Sequence, residues 1–311
     1  MRVWRSVDEV PADLGRTVVV VGNFDGVHLG HQHVIGTARE RADAEGLRVV
    51  AVTFDPHPMA VLRPDHAPVM LTDLETRCRL LATAGADDVF VIAFSREIAA
   101  WTPQEFIQRI LVDALHARGV VVGANFRFGN RAAGDVDTLR QAGDAGDFEV
   151  HGVALDGGPQ VWSSTYVRTC LAAGDVEGAA EALGRPYAVT GEVVEGDRRG
   201  RDLGFPTANV PVRDLAVPAD GVYAGWLRVR DDGACFPAAI SVGTNPTFDG
   251  VRERRVESYV LDRTDLDLYG RAVEVCFVAR IRGMVRFDGV EGLVAAIQGD
   301  VASTRELLGL G

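Results

Sequence analysis

Two stretches of this chain combine glycines, imidazoles and hard oxygen donors at spacings suited to phosphate chemistry. The first reads Gly22-Asn-Phe-Asp-Gly-Val-His-Leu-Gly-His31. His28 and His31 are three apart, so at a helix start both rings can face one side. Two imidazoles placed there can hydrogen-bond a triphosphate and stabilise charge that develops during transfer. Gly22, Gly26 and Gly30 allow a tight turn and close approach of backbone to phosphate, with Asn23, Phe24 and Asp25 completing it. A lone histidine here would read as a surface or capping group; the pair within a Gly-rich turn points to phosphate. The second stretch runs from Gly191 to Asn209. Gly196, Gly200 and Gly204, with Arg201, Phe205 and Pro206 among them, suit a loop that approaches a ligand closely. Thr207 and Asn209 offer hard oxygen ligands of the kind Mg²⁺ takes beside nucleotide phosphates. Composition alone would make this second stretch an ordinary hairpin with a Pro-Thr turn.

Other candidates are scattered along the chain. Asn125, in Gly123-Ala-Asn-Phe-Arg-Phe-Gly129, could bond a phosphate or ribose, and Arg127 could offer charge; an ordinary turn explains them equally. Ser163, Ser164 and Thr165 precede Arg168. Their hydroxyls either cap a helix or bind phosphate at its start, with the Arg168 fork one turn further in. Asp55, His57 and Arg63 follow the run Val49–Phe54 and either shape a site or fix a loop. Glu257 reads as an exposed strand residue beside Arg255. Arg282 and Asp300 flank a C-terminal helical stretch and suit a surface role or closure over a ligand.

These residues need elements to hold them. Thr17–Val21 is a β-branched run typical of a buried strand. A helix follows from Gly30 to about Glu45, stopped by Gly46. Val49–Phe54 and Val89–Phe94 are further strands. Between them Thr72 and Glu75 form a capping-box pattern that opens a helix ending at Gly85. A second such pattern, Thr102 to Glu105 with Pro103 between, opens a helix running to Gly119. Val120–Val122, a weaker helix, a strand near Glu149–Leu155 and a helix capped by Ser163 or Ser164 complete the alternation. That order predicts a doubly wound parallel sheet with helices on both faces, and it puts the first motif at a strand's carboxyl end, where such sheets bind ligands. From Ala188 onward short β runs alternate with turns and only Val290 to about Leu308 looks helical. A small β-barrel with a C-terminal helix is expected. The boundary is placed at residue 186, giving domains 1–186 and 187–311.

Composition narrows the options. At roughly 100–200 residues per domain, 311 residues suit two domains. The net charge of −12 argues against capture of nucleic acid. All 32 basic residues are Arg. That rules out a Walker A lysine, a Schiff-base lysine and a lysine general base. No pair of the four cysteines has metal-knuckle or redox spacing, so reduced, buried thiols are expected. The start lacks a signal-peptide apolar core and no apolar run could span a bilayer, so a cytoplasmic location with no membrane partner is expected.

The His-x-Gly-His element together with Ser-Ser-Thr-x-x-Arg resembles the nucleotidylyltransferase superfamily. The longer string ending at His31, joined to Phe54-Asp-Pro-His-Pro58, is similar to bacterial FAD synthetases. Gly-Arg-x-Leu-Gly-Phe-Pro-Thr-Ala-Asn, with Gly221-Val-Tyr223 and Gly243-Thr-Asn-Pro-Thr247, resembles riboflavin kinases, and Glu257 matches their catalytic glutamate. The resemblance covers nearly the whole chain and implies a Rossmann-like FMN adenylyltransferase followed by a riboflavin kinase barrel. It implies ATP as co-substrate, Mg²⁺ in both modules, and riboflavin, FMN and FAD as substrates or products. Under it His28, His31, Arg168 and Glu257 are catalytic. Gly22, Asn23, Phe24, Asp25, Gly26, Asn125, Ser163, Ser164 and Thr165 bind the adenylylation ATP, and Asp55, His57 and Arg63 bind FMN. Gly196, Gly200, Arg201, Gly204, Phe205, Pro206, Thr207 and Asn209 bind the kinase ATP, Thr207 and Asn209 also hold the metal, and Arg282 and Asp300 contact flavin. A monomer or weakly self-associating chain is expected. Two other classes stay open: a different adenylyl-transferring enzyme, acting on pantetheine phosphate or an amino acid, and a non-catalytic flavin-binding protein.

Overall fold

The computed structural model describes residues 1–154, 162–196, 204–212, 214–243 and 255–310. Six parallel strands form the first sheet: β1 (Arg2–Trp4), β2 (Thr17–Val21), β3 (Arg48–Asp55), β4 (Asp88–Ala93), β5 (Ala117–Gly123) and β6 (Glu149–Val153). Their order is β1-β4-β3-β2-β5-β6. All of β2 is buried, and its side chains alternate between two cores. Val18 and Val20 pack with Ile35 and Ala38 of α1 (Leu29–Glu45) and with Leu81 of α3 (Leu74–Thr83). Val19 and Val21 join Phe106, Ile110 and Leu111 on the other face. Each valine buried in this way contributes about 1.5–3 kcal/mol. The order reverses between β2 and β5, so the loops after these strands flank the switch point where doubly wound sheets bind ligands.

Local differences from expectation have physical causes. Asp73, not Thr72, caps α3, accepting from the Thr76 N–H at 2.6 Å. Thr72 is instead spent on the first motif's loop. The Thr102–Glu105 capping box forms with Pro103 at its start, opening α4 (Pro103–Phe106). The helix widens to π geometry over Ile107–Ala114 and stops there rather than at Gly119. β1 escaped notice because three residues carry no periodicity. It is pinned at the edge by Arg2, whose Nε and Nη2 donate to Asp88 at 3.3 and 3.2 Å. Also unforeseen is the short α2 (Pro58–Leu62). α5 (Val136–Gly146) matches the weaker helix expected before β6.

The chain divides into compact units Met1–Ser163 and Ser164–Gly311. The last helix that the sequence placed before the boundary at residue 186, α6 (Ser164–Ala173), and an unforeseen α7 (Val176–Leu183) thus group with the later strands. A helix cannot satisfy its own last carbonyls, and strand-side groups do so for α6. The Ala219 N–H donates to the Leu171 carbonyl at 2.8 Å and Arg280 Nη1 donates to that of Ala173 at 3.1 Å. An alternating pattern of strands and helices cannot reveal which strands a helix packs on.

In the second unit six strands curl into one antiparallel sheet: β7 (Tyr187–Glu192), β8 (Thr207–Pro211), β9 (Gly221–Val229), β10 (Cys235–Gly243), β11 (Arg255–Val260) and β12 (Ala272–Gly283). Their order is β7-β12-β9-β10-β11-β8. The end strands meet where the Val194 N–H donates to the Asn209 carbonyl at 2.9 Å. The C-terminal helix α8 spans Val290–Leu307. Cys78 and Cys170 are buried free thiols as expected, whereas the free thiol of Cys235 is exposed.

Candidate active sites

The first motif forms the turn from β2 into α1. Phe24, Gly26 and Val27 take left-handed φ values of 51°, 81° and 42°. For a β-branched residue such as Val27 this costs on the order of 1–3 kcal/mol. Burial and hydrogen bonds hold the turn in place. Phe24 and Val27 are both buried. The Asp25 carboxylate accepts the Leu71 N–H at 2.9 Å and the Thr72 N–H at 3.1 Å. The Gly26 N–H donates to the Thr72 hydroxyl at 3.3 Å. Asp25 therefore anchors the turn to the backbone ahead of α3.

His28 is the N-cap of α1, its Nδ1 accepting the His31 N–H at 3.3 Å. That bond fixes the tautomer, because a ring accepting at Nδ1 carries its proton at Nε2. The two imidazoles stack with centroids 3.6 Å apart and planes 24° apart. A Cβ on Gly30 would lie 3.2 Å from the His28 ring, so glycine leaves room for the ring to fold over the helix start. Phe24 meets His31 edge-on at 5.2 Å. Burial pushes the His31 pKa well below its usual value, and the neighbouring His28 pushes it the same way. His31 is thus a neutral hydrogen-bonding group at pH 7, beside a helix start whose free N–H groups favour anions.

This shift fixes a sign for stability. The unfolded chain takes up the His31 proton near pH 6.5, before the folded chain does. Stability is therefore full above that pH and falls as pH drops towards the lowered folded value. Urea unfolding at pH 7.5 and 5.5 is expected to show this loss, and His31→Gln to reduce it. An unchanged pH slope in the variant would contradict the assignment.

Neighbouring loops contribute further groups. His57 caps α2, its Nδ1 accepting the Met59 N–H at 3.2 Å. Its Nε2 lies 3.2 Å from the Asn23 amide Nδ2, in hydrogen-bond contact, which joins the β2 and β3 loops. Asp55 is half-buried at the end of β3, and Arg63 is exposed at the end of α2. Asn125 is exposed after β5. Arg127 is not spare charge, since its Nη1 donates to Asp135 at 2.6 Å. The Thr138 N–H and hydroxyl, with Arg127 adding to them, hold the Asp135 pKa down to about 2. Ser163 ends the first unit; Ser164, Thr165 and Arg168 lie on α6 in the second.

The second site is built by strand register. Glu257 on β11 sits opposite Asn209 on β8, and Tyr259 sits opposite Thr207. Residues two apart share a face, so Thr207, Asn209 and Glu257 converge on one wall. They line a cavity of about 680 Å³ with Phe205, Arg282 and Asp300, a size that suits a small-molecule ligand. A Cβ on Gly196 would overlap the Asn209 side chain and force it to shift. Pro206 lines the same cavity, and Phe205 meets Tyr259 edge-on at 5.3 Å. Gly204 turns with a φ of +85°. Gly200, Arg201 and the 244–247 part of the third kinase-like string lie outside the described residues.

Arg282 and Asp300 do line this cavity, but they bind each other. Arg282 Nε and Nη2 donate to the two carboxylate oxygens at 2.8 and 2.7 Å. The pair ties α8 to the end of β12, and Phe287 lies 5.7 Å from the guanidinium. Asp300→Ala would leave a half-buried cation without its partner. We expect a loss of about 1–3 kcal/mol in thermal unfolding and a higher KM for the ligand of this cavity. Parental values for both would contradict the reading.

Sequence reasoning missed Tyr259, whose place follows from a register that only the fold shows. It also missed Thr72, which was read as a helix cap.

Comparison with known proteins agrees with this geometry. The FAD synthetase family model matches residues 10–165, and the riboflavin kinase model matches residues 183–308. The bifunctional riboflavin kinase/FMN adenylyltransferase of Escherichia coli K12 is 39% identical over 94% of this chain and 93% of its own length. The Pseudomonas fluorescens protein of the same description is 37% identical over 99% of this chain and 98% of its own. A crystal structure described as a macrolide-efflux protein of Streptococcus pneumoniae superposes with a TM-score of 0.86 at 33% identity, covering 97% of this chain and 98% of that one. Among the described residues no helix here is long and apolar enough to cross a membrane. On these matches the chain belongs to the family of bifunctional riboflavin kinase/FMN adenylyltransferases.

Proposed function

We propose that the two sites divide the family's two reactions between them. The chain phosphorylates riboflavin to FMN and adenylylates FMN to FAD. In the kinase reaction Glu257 takes the proton from the ribityl 5′-hydroxyl as its oxygen attacks the γ-phosphorus of ATP. The bond from that phosphorus to the bridging oxygen breaks, and ADP leaves. The observation that supports this best is the register that sets Glu257 opposite Asn209, with Thr207 on the same face of the cavity.

Mg²⁺ is proposed as the kinase ion. Among the described residues no cluster of three His, Cys, Asp or Glu could hold a metal. The Thr207 hydroxyl and Asn209 amide oxygen fit an ion that takes its other ligands from phosphates and water. When bound it neutralises charge on the phosphate oxygens.

In the second reaction an FMN phosphate oxygen attacks the α-phosphorus of another ATP, and pyrophosphate leaves. FMN phosphate is ionised at pH 7, so no strong base is required. His28 and His31 stabilise the departing charge as neutral N–H donors, beside the free N–H groups of α1. Asn23, Asn125, Ser163, Ser164, Thr165 and Arg168 are proposed to position phosphates, and His57, Asp55 and Arg63 to position FMN. Residues 1–186 are proposed as the adenylyltransferase and 187–311 as the kinase, although α6 and α7 fold with the kinase strands. Supplying FMN and ATP alone isolates the second reaction. Pyrophosphate release in step with FAD is expected, and its absence would remove this assignment.

A further inference from the structure

Arg77, on α3, is one of the largest fully buried side chains of the described protein, with 2% exposure. Nothing in the matched motifs includes it. Its guanidinium has no carboxylate partner among the described residues, and Nε finds no acceptor. Burying a cation on such terms is costly, and a Leu or Met of similar size would fill the space without that cost. The charge therefore needs a reason beyond packing.

The bonds Arg77 does make supply one. Nη1 donates to the Phe54 carbonyl at 2.9 Å and approaches the Thr53 hydroxyl at 3.4 Å. The Thr53 hydroxyl in turn donates to the Asn23 carbonyl at 3.0 Å. Asn23 and His57 then meet at 3.2 Å. One buried guanidinium thus braces both the last turn of β3, which leads into Asp55 and His57, and the first residues of the Gly22–His31 motif. The same turn is also held by Asp25 and Thr72, just ahead of α3.

We propose that Arg77 is a positioning residue for adenylyl transfer, acting through Thr53 and Phe54 on the loops that carry Asn23 and His57. This rests on the assignment of those loops to the adenylylation reaction. The test uses the full chain, so that riboflavin phosphorylation reports folding in the same sample. Arg77→Met is expected to lower kcat for FAD formation from supplied FMN by tenfold or more, with phosphorylation at the parental rate. Arg77→Lys keeps a donor for the Phe54 carbonyl and is expected to return kcat to within about threefold. Thr53→Val leaves Arg77 and its bond to Phe54 intact while cutting the link to Asn23; a loss smaller than that of Arg77→Met is expected. Should Arg77→Met fail to fold, Thr53→Val carries the test. Parental FAD formation in Arg77→Met or Thr53→Val would overturn the proposal. So would an equal loss in Arg77→Met and Arg77→Lys that follows the unfolding temperature, because that is packing alone. His28→Asn, run alongside, separates the two layers. If it too leaves FAD formation unchanged, the site assignment fails; if it alone lowers FAD formation, only the role of Arg77 fails.

Discussion

Glu257→Gln abolishes FMN formation and leaves adenylylation of supplied FMN at the parental rate: that is the largest effect the structure predicts. A positioned general base contributes about 10²–10⁴-fold. Glutamine matches glutamate in shape and can keep most polar contacts, but it cannot take the 5′-hydroxyl proton. The fold is not at risk, because β11 is paired by backbone bonds to β8 on one side and β10 on the other. Separate assays with riboflavin and with FMN distinguish the two activities. FMN appearing at the parental rate would show that Glu257 is not the base.

The second large effect belongs to His28→Asn. Asparagine is a good N-cap, so its side-chain oxygen can accept the His31 N–H that Nδ1 accepts now. The helix start is kept and only the imidazole is lost. Removing one preorganised donor of developing charge costs about 10²–10³-fold in kcat. FAD formation is expected to fall by that factor, with phosphorylation of riboflavin retained. Full FAD output would remove His28 from the reaction. A loss of both activities together would mean that the chain had unfolded.

These sites were legible in the sequence to different depths. The run of four valines announced a buried strand, and the Gly-rich turn after it announced a ligand loop, because both signals are local. The His28–His31 stack followed from a spacing of three at a helix start. The pairing of Glu257 with Asn209 did not, because antiparallel register joins residues 48 positions apart in sequence. The capping-box pattern at Thr72 misled because a hydroxyl has more than one customer, and Asp25 with Gly26 outcompetes the helix for it. Arg282 and Asp300 were legible as candidates, but their pairing with each other was not, because they lie on different elements, 18 residues apart. Arg77 carried a visible signal, a charged residue among the apolar positions of α3, whose meaning depended on the end of β3 lying beneath it.

The most direct measurement is a time course. The purified full chain is incubated with riboflavin, ATP and Mg²⁺, and the flavins are resolved by chromatography. The account predicts FMN first, then FAD growing at its expense. FMN accumulating without FAD, or neither flavin product from folded protein, would contradict the claim that one chain holds both active sites.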